Sequence, residues 1–260
     1  MLRALYTSAT GMKAQELLID NTANNLANVN TTGFRRSHMD FADLVYNTIR
    51  QPGNEVSQGQ VSPTGLQIGN GVRVVSTTKH FTQGNLEQTG NPLDVGIEGN
   101  GFFQVQLPSG DFGYTRAGAF RIDQNGQLVN SDGLVLQPTV SIAQNAQNIS
   151  IGTDGTVQGE VGGTSQTFGT ISIFTFPNPA GLSSEGANLF SVTTASGAAT
   201  PATAGQNGAG ILRGNFLENS NVEVVTELIS LIAAQRAYEI NSRAIQAGDE
   251  MLSTAVDIVR

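Results

Sequence analysis

The amino-terminal residues carry a helical repeat. Leu5, Met12, Ile19 and Leu26 recur every seven residues, with Ala9 and Ala23 between them. One face of the chain is therefore apolar if it coils into a helix from about Leu2 to Asn28. Asn30-Thr31-Thr32-Gly33 supplies the stop, because glycine readily takes the left-handed conformation that ends helices. The carboxyl end repeats the pattern over a longer run: Val224, Leu231, Tyr238, Ile245, Leu252 and Val259 stand seven residues apart. This is coiled-coil spacing. Ser220 followed by Glu223 reads as a capping box at its start. Gly248 is an interior breaker that should cost about 1 kcal/mol relative to alanine.

The middle of the chain is written differently. All eight prolines lie between Pro52 and Pro201, and all 31 glycines but Gly11, Gly33 and Gly248 lie between Gly53 and Gly214. Helix is thus favoured at the ends and excluded between them. Short apolar or alternating runs separated by turn residues take its place. Arg121 to Val129 turns through Asn125-Gly126, and Ile149 to Val157 turns through Asp154-Gly155, both hairpin signals. Phe102 to Leu107, Ile171 to Phe176 and Val72 to Ser76 are further strand segments. An all-β region is expected from about residue 70 to 215. Within it Glu185 to Gly210, rich in Ala, Gly, Ser and Thr, should form loops more than core, and Gln51 to Gly71 reads as a flexible connector.

The fold class is therefore α+β: a central all-β domain flanked by N- and C-terminal α-helices that pair in a coiled-coil-like inner domain. The boundaries are 1–30 with 220–260 for the paired helices, 31–70 for the connecting segment and 71–219 for the β-rich domain. The carboxyl helix has more apolar surface than one partner covers. Beside its main line, Val225, Ile229, Ile232, Ile240, Ala244, Ala247, Met251 and Ala255 make a second stripe. Two readings stand: ordinary packing onto the β domain, or burial against neighbouring subunits. The short amino helix and the mid-seam Gln235, Ser242 and Asp249 suit modest pairing reinforced by lateral contacts.

Composition narrows the function. The 21 acidic residues outnumber the 13 basic ones, giving a net charge of -8, and Arg35-Arg36 is the only adjacent basic pair. No clustered positive footprint is present for nucleic acid. Zero cysteines remove disulfides and thiolate chemistry together. No apolar run precedes Lys13 and Glu16 that would serve as a cleaved secretory signal, and Leu228 to Ala234 is far short of the ~20 apolar residues of a membrane span. Membrane insertion is not expected. His38 and His80 are isolated, so no metal site is expected. Gly99-Asn100-Gly101 lacks the third glycine and following helix of a dinucleotide fingerprint. Asp123 to Gly126 lacks the distal glutamate of a calcium loop. Asp249 and Glu250 are adjacent on a helix and face different ways. No catalytic set and no cofactor are expected.

Three long segments carry a family resemblance. Ala23-Asn24-Asn25-Leu26-Ala27-Asn28-Val29-Asn30-Thr31-Thr32-Gly33-Phe34 resembles the amino-terminal signature of flagellar rod and hook proteins. Ser220 to Val224, Glu227-Leu228, Gln235-Arg236-Ala237-Tyr238-Glu239 and Asn241 through Leu252 resemble the carboxyl signature. Asp94 to Phe103 and Tyr114-Thr115-Arg116 match centrally. Tyr46 to Gly53 with Leu66 to Gly69 resembles the distal rod branch, although Glu55 to Ser62 departs from its pattern.

The resemblance implies a self-assembling structural subunit of a rigid helical tube that transmits torque from motor to hook. Its inner wall would be built from the paired helices. Export would run through the flagellar type III apparatus. The implied location is the basal body, with the rod crossing the periplasm to the outer membrane. Implied partners are copies of itself, proximal rod and hook-side axial proteins, and the surrounding peptidoglycan-associated and outer-membrane ring proteins. The expected assembly surface is Leu5, Met12, Ile19, Leu26, Val224, Leu231, Tyr238, Ile245 and Leu252. Asn24, Asn25, Asn28, Gly33, Phe34, Gln235 and Arg236 carry the motif. A proximal rod or hook subunit, or a β-rich surface adhesin module, are the alternative readings.

Overall fold

The computed structural model describes residues 2–53, 55–57, 60–61, 63–206 and 208–259. Helix α1 spans Leu2–Ala27 and helix α2 spans Val224–Val259, with β-strands between them. The α+β arrangement expected from the distribution of breakers is the one observed. The chain divides into two compact units. One comprises Met1–Leu26, Ser37–Thr78 and Glu223–Arg260, and the other Ala27–Arg36 and Lys79–Val222.

In the first unit the helices are accompanied by short strands. Ser37–Asp43 pairs with Val72–Lys79, whose burial alternates from Val72 to Thr78 as one half-covered face requires. Asn47–Arg50 runs antiparallel to Leu66–Ile68, with Asn47 opposite Ile68 and a bulge between Thr48 and Arg50. Glu55–Ser57 pairs with Gln60–Val61. Within Gln51 to Gly71, expected as a flexible connector, the described residues include the strands Glu55–Ser57, Gln60–Val61 and Leu66–Ile68, while Asn54, Gln58, Gly59 and Ser62 lie outside the described residues. Strands only two to four residues long carry too little alternation to be seen in the sequence; Leu66–Ile68 pairs with the preceding Asn47–Arg50, and Glu55–Ser57 with Gln60–Val61.

The second unit holds a seven-stranded sheet in the order Arg121–Ile122, Leu128–Val129, Val135–Gln137, Phe103–Gln106, Phe112–Thr115, Leu189–Ser191, Ser183–Gly186. A three-stranded sheet, Gln147–Ile151, Thr156–Val161 and Thr164–Thr170, accompanies it. Both hairpins expected from Asn-Gly and Asp-Gly form: Arg121 pairs with Val129, and Ile151 with Val157. The apolar interior forms two clusters. Val95, Ile97, Phe103, Leu136, Ile171 and Leu212 belong to the larger one, and Phe102, Tyr114, Phe174 and Phe190 to an aromatic one. Adjacent Phe102 and Phe103 enter different clusters because successive side chains of extended chain point to opposite faces. In the aromatic cluster, rings meet edge to face at centroid separations of 4.9 to 6.0 Å, the geometry that ring quadrupoles favour.

Two further expectations are corrected. Glu185 to Gly210 contributes core: Leu189, Phe190, Ala202, Ala204 and Ala209 are buried, and Ser183–Gly186, Leu189–Ser191 and Thr200–Ala202 are strands. Small residues there fill narrow interior space, a role composition cannot distinguish from loop. Ser220 does not cap α2, which begins at Val224. The Ser220 hydroxyl accepts from the Val222 amide at 3.3 Å, and the Glu223 carboxylate accepts from the Thr226 hydroxyl at 2.8 Å. Asn221 holds the chain in place just before the helix. Its amide donates to the carbonyls of His80 and Thr82 at 2.8 and 3.0 Å, and its side-chain oxygen accepts from the Arg36 amide at 2.7 Å.

Candidate assembly surface

Helices α1 and α2 lie side by side and antiparallel. Leu5 meets Gly248, Gly11 meets Asn241, and Asn25 meets Glu227, so partners descend α2 as positions ascend α1. The approach is close. A Cβ placed on Gly248 would stand 2.6 Å from Leu5 Cδ2, and one on Gly11 would stand 3.0 Å from Asn241 Nδ2. The line of α2 that faces α1 includes Glu227, Ala234, Asn241 and Gly248, seven residues apart, of which Glu227, Ala234 and Gly248 are buried. Gly248 thus acts as a contact point whose lack of a side chain lets the helices approach, which offsets its helix penalty.

The heptad line expected as the seam runs beside this axis. Leu231, Ile245 and Leu252 are half-buried, whereas Val224 and Tyr238 are exposed. On α1, Leu5, Met12, Ile19 and Leu26 are all half-buried, with Ala14 buried between them. Val259 is part of α2, but its side chain lies outside the described residues. Gln235 and Asp249 are exposed, so neither interrupts the seam. Small residues decide the axis because backbone proximity, more than apolar character, sets where two helices touch.

The second stripe is uncovered. Ile229 is 62% exposed and Ile240 is 66% exposed, and Val225, Ile232 and Met251 are exposed on the same side of α2. A second apolar face occurs on the paired strands and the residues just before them, where Val45, Tyr46, Ile49, Leu66 and Ile68 are exposed. Exposed apolar side chains grouped along one helix face are a feature that interaction surfaces share.

The motif residues have distinct places. Asn25 is buried and ties three segments of the first unit together. Its Oδ1 accepts from the Ser37 amide at 2.9 Å, and its Nδ2 donates to the Ser37 carbonyl at 2.9 Å and to Glu227 Oε2 at 3.3 Å. Asn21 adds a bond to the same carbonyl at 2.9 Å. Asn24 is exposed and Asn28 half-buried; the Asn28 carbonyl accepts from the Thr31 amide in the turn after α1. Gly33 has φ +71, and a Cβ there would sit 2.6 Å from the Ala117 nitrogen, so both conformation and space require glycine. Phe34 is buried beneath Lys79, whose Nζ lies 5.0 Å from the ring centroid. Burial holds the Lys79 ammonium below the usual lysine range. Arg236 is exposed and donates to Glu239 Oε2 at 2.9 Å, while Arg243 donates to Glu239 Oε1 at 2.6 Å. Those bonds, Arg236 first, hold the Glu239 carboxyl below its ordinary range.

Sequence reasoning did not find the charged centre of the second unit. Glu218 is fully buried. Its Oε1 accepts from Arg35 Nη2 at 2.6 Å and from the Gly84 amide at 2.9 Å, and its Oε2 accepts from Arg116 Nε at 2.8 Å. Arg116 gives its remaining hydrogens to the carbonyls of Gly99, Gly101 and Ile97 and to the carboxylate. Desolvation lowers the Arg116 pKa to about 10 in spite of Glu218. The signal was present in part: Arg35 follows Gly33-Phe34, and Arg116 closes Tyr114-Thr115-Arg116, two of the quoted motifs. Glu218 sits in no recognisable pattern. Among the described residues no group of acidic, histidine or cysteine side chains is arranged to hold a metal ion, and no helix is long and apolar enough to cross a membrane.

Comparison with known proteins accounts for both ends and the middle. Residues 5–35 match the flagella basal body rod protein family, residues 96–159 the flagellar hook protein FlgE/F/G D1 domain, and residues 213–258 the flagellar basal body rod FlgEFG protein C-terminal domain. The flagellar basal-body rod protein FlgG of Buchnera aphidicola subsp. Acyrthosiphon pisum is 47% identical over 254 residues, covering 97% of this chain and 98% of that protein. The protein of the same name from Borreliella burgdorferi is 42% identical over 264 residues, all of both chains. The flagellar hook-basal body complex protein FlhP of Bacillus subtilis is 33% identical over 266 residues, 97% of each. Three family models match in order along the chain, relatives match over nearly its whole length, and the chain belongs to the flagellar basal-body rod protein family.

Proposed function

We propose that the chain is the subunit of the distal part of the rod, polymerising into a rigid helical tube that carries torque from motor to hook. The observation that carries this reading is the exposed apolar stripe of α2, from Val225 through Ile229, Ile232 and Ile240 to Met251, which pairing with α1 leaves open. Copies stacked side by side cover it. Terminal helices 1–30 and 220–260 form the inner tube, with Leu5, Met12, Ile19, Leu26, Val224, Leu231, Tyr238, Ile245 and Leu252 shared between pairing and lateral contact. Residues 71–219 form the outer domain. The rod joins proximal rod proteins below and hook-side axial proteins above. It passes within the peptidoglycan-associated and outer-membrane rings as it crosses the periplasm, and its subunits leave through the flagellar type III export apparatus.

Residues 31–70 connect the two parts and bridge adjacent subunits. The exposed side chains of Ile49, Leu66 and Ile68 on a two-stranded ladder with open edges, and of Tyr46 just before it, support this role. Of the segment between the two strands, Asn54, Gln58, Gly59 and Ser62 lie outside the described residues. Deleting Gln51 to Thr64 should soften the rod or change its curvature or length; straight rods of unchanged stiffness refute the bridge. The assignment itself is tested by imaging basal bodies from cells lacking the protein. Rods that stop short, without hooks, are expected, and complete rods bearing hooks overturn it.

A further inference from the structure

We propose that the seven-stranded sheet of the second unit joins one copy of the chain to the next: the Arg121–Ile122 edge of one copy seats in a cleft beside the Ser183–Gly186 edge of another. The two edges stand at opposite ends of the strand order. The cleft, of about 550 Å³, opens between Phe112–Thr115 and Leu189–Ser191. These strands are in register at Tyr114 opposite Phe190, and the next position outward, Phe112 and Val192, lines the cleft with side chains 49% and 43% exposed.

The lining has two faces. Side chains of extended chain alternate, so Phe112 and Val192, each two residues from the Tyr114–Phe190 pair, fall on one side. Asp111 falls on the other, with Glu185, whose Oε1 accepts from Ser191 Oγ at 2.6 Å. Asp111 Oδ2 accepts from Ser109 Oγ at 3.0 Å. Hydroxyl donors leave the charge standing. Among the described residues neither carboxylate meets a cation, and both are exposed in the cleft.

The occupant follows from the cations of the same unit. Arg35 and Arg116 are buried on Glu218, Arg213 pairs with Glu98, and Arg36 and Lys79 are half-buried. Arg121 is exposed and, among the described residues, unpaired. It stands on the open edge of the sheet beside Ile122, 39% exposed, and the alternation that divides the cleft also sends these two side chains to opposite faces. Seated in the cleft, the guanidinium meets Asp111 and Glu185 while the isoleucine meets Phe112 and Val192. At a net charge of -8 per copy, association is favoured where opposite charges face each other. Edge and cleft are different surfaces, so the contact is heterologous and passes from copy to copy, as an open helical array requires. It rests on the association of copies read above and gives the β-rich unit a lateral contact of its own.

The chain has no cysteine, so introduced thiols report the contact. Full-length Ile122→Cys and Val192→Cys are mixed, seeded and mildly oxidised, and disulfide-linked dimer is measured beside sedimented polymer. Each chain holds one thiol, so every bond joins two copies. Dimer is expected from the mixture and little from either variant alone. Arg121→Glu in the Ile122→Cys chain should lower the yield about fivefold, and Asp111→Lys with Glu185→Lys in the Val192→Cys chain should restore it. Arg73→Glu, which reverses an exposed arginine of the other unit, should leave the yield unchanged; a loss equal to that of Arg121→Glu would reduce the effect to net charge and overturn the pairing. Polymer that sediments without mixed dimer overturns this contact and leaves assembly through the helices standing. Mixed dimer in material that never sediments keeps the contact and overturns the helical tube, and neither product overturns both.

Discussion

Replacing Ile240 with glutamate should separate folding from assembly. The side chain is 66% exposed, so in the monomer it has little packing to lose, and exposed substitutions usually change stability by less than about 0.5 kcal/mol. In a polymer the same surface is covered. Full burial of isoleucine contributes about 1.5–3 kcal/mol. The exposed two thirds is then worth roughly 1–2 kcal/mol per contact, to which burying an unpaired carboxylate adds a further penalty. With each 1.4 kcal/mol equal to about a factor of ten, the critical concentration should rise at least tenfold. Ile229→Glu, on the same stripe and 62% exposed, should behave alike. The assay is sedimentation of seeded polymer over a concentration series, beside the thermal transition of the β-rich unit. An unchanged critical concentration for both variants refutes the reasoning. So does a thermal transition displaced by many degrees, which would make the residues structural.

Three further outcomes follow from the geometry. Glu218→Gln leaves Arg35 and Arg116 buried without a carboxylate and should destabilise the second unit by about 3–5 kcal/mol, measured by chemical denaturation; a loss below about 1 kcal/mol would show that the three charges are not coupled. Gly248→Leu forces a side chain into the space of Leu5 and should lower the melting temperature of the helix pair in assembled material by an amount corresponding to about 1–3 kcal/mol. Unchanged melting would show that the helices do not meet there. Far-ultraviolet circular dichroism of dilute subunits should show less helix than the polymer, because α1 and α2 leave apolar surface open without neighbours; full helicity of both ends in dilute solution contradicts this.

What the sequence determined by itself is local and periodic. The seven-residue spacing of Leu5 to Leu26 and of Val224 onward, with breakers confined between them, sets two helices and a β-rich middle. Asn125-Gly126 and Asp154-Gly155 set two hairpins through turn chemistry that needs no distant partner. The width of the apolar stripe on α2 was equally legible, since it depends only on order along a helix.

What required the tertiary structure is every relation between distant segments. The helix pair closes on Gly11, Ala234 and Gly248 because backbone approach rewards absent side chains, and a periodicity of large apolar residues points one strip to the side. Ser37–Asp43 and Leu66–Ile68 are strands because partners hold them. Arg35, Arg116 and Glu218 stand far apart in the chain and carry no pattern in common. Their meeting is decided by folded strands that bring two cations and one anion out of water together, where a charge imbalance trivial at the surface becomes decisive.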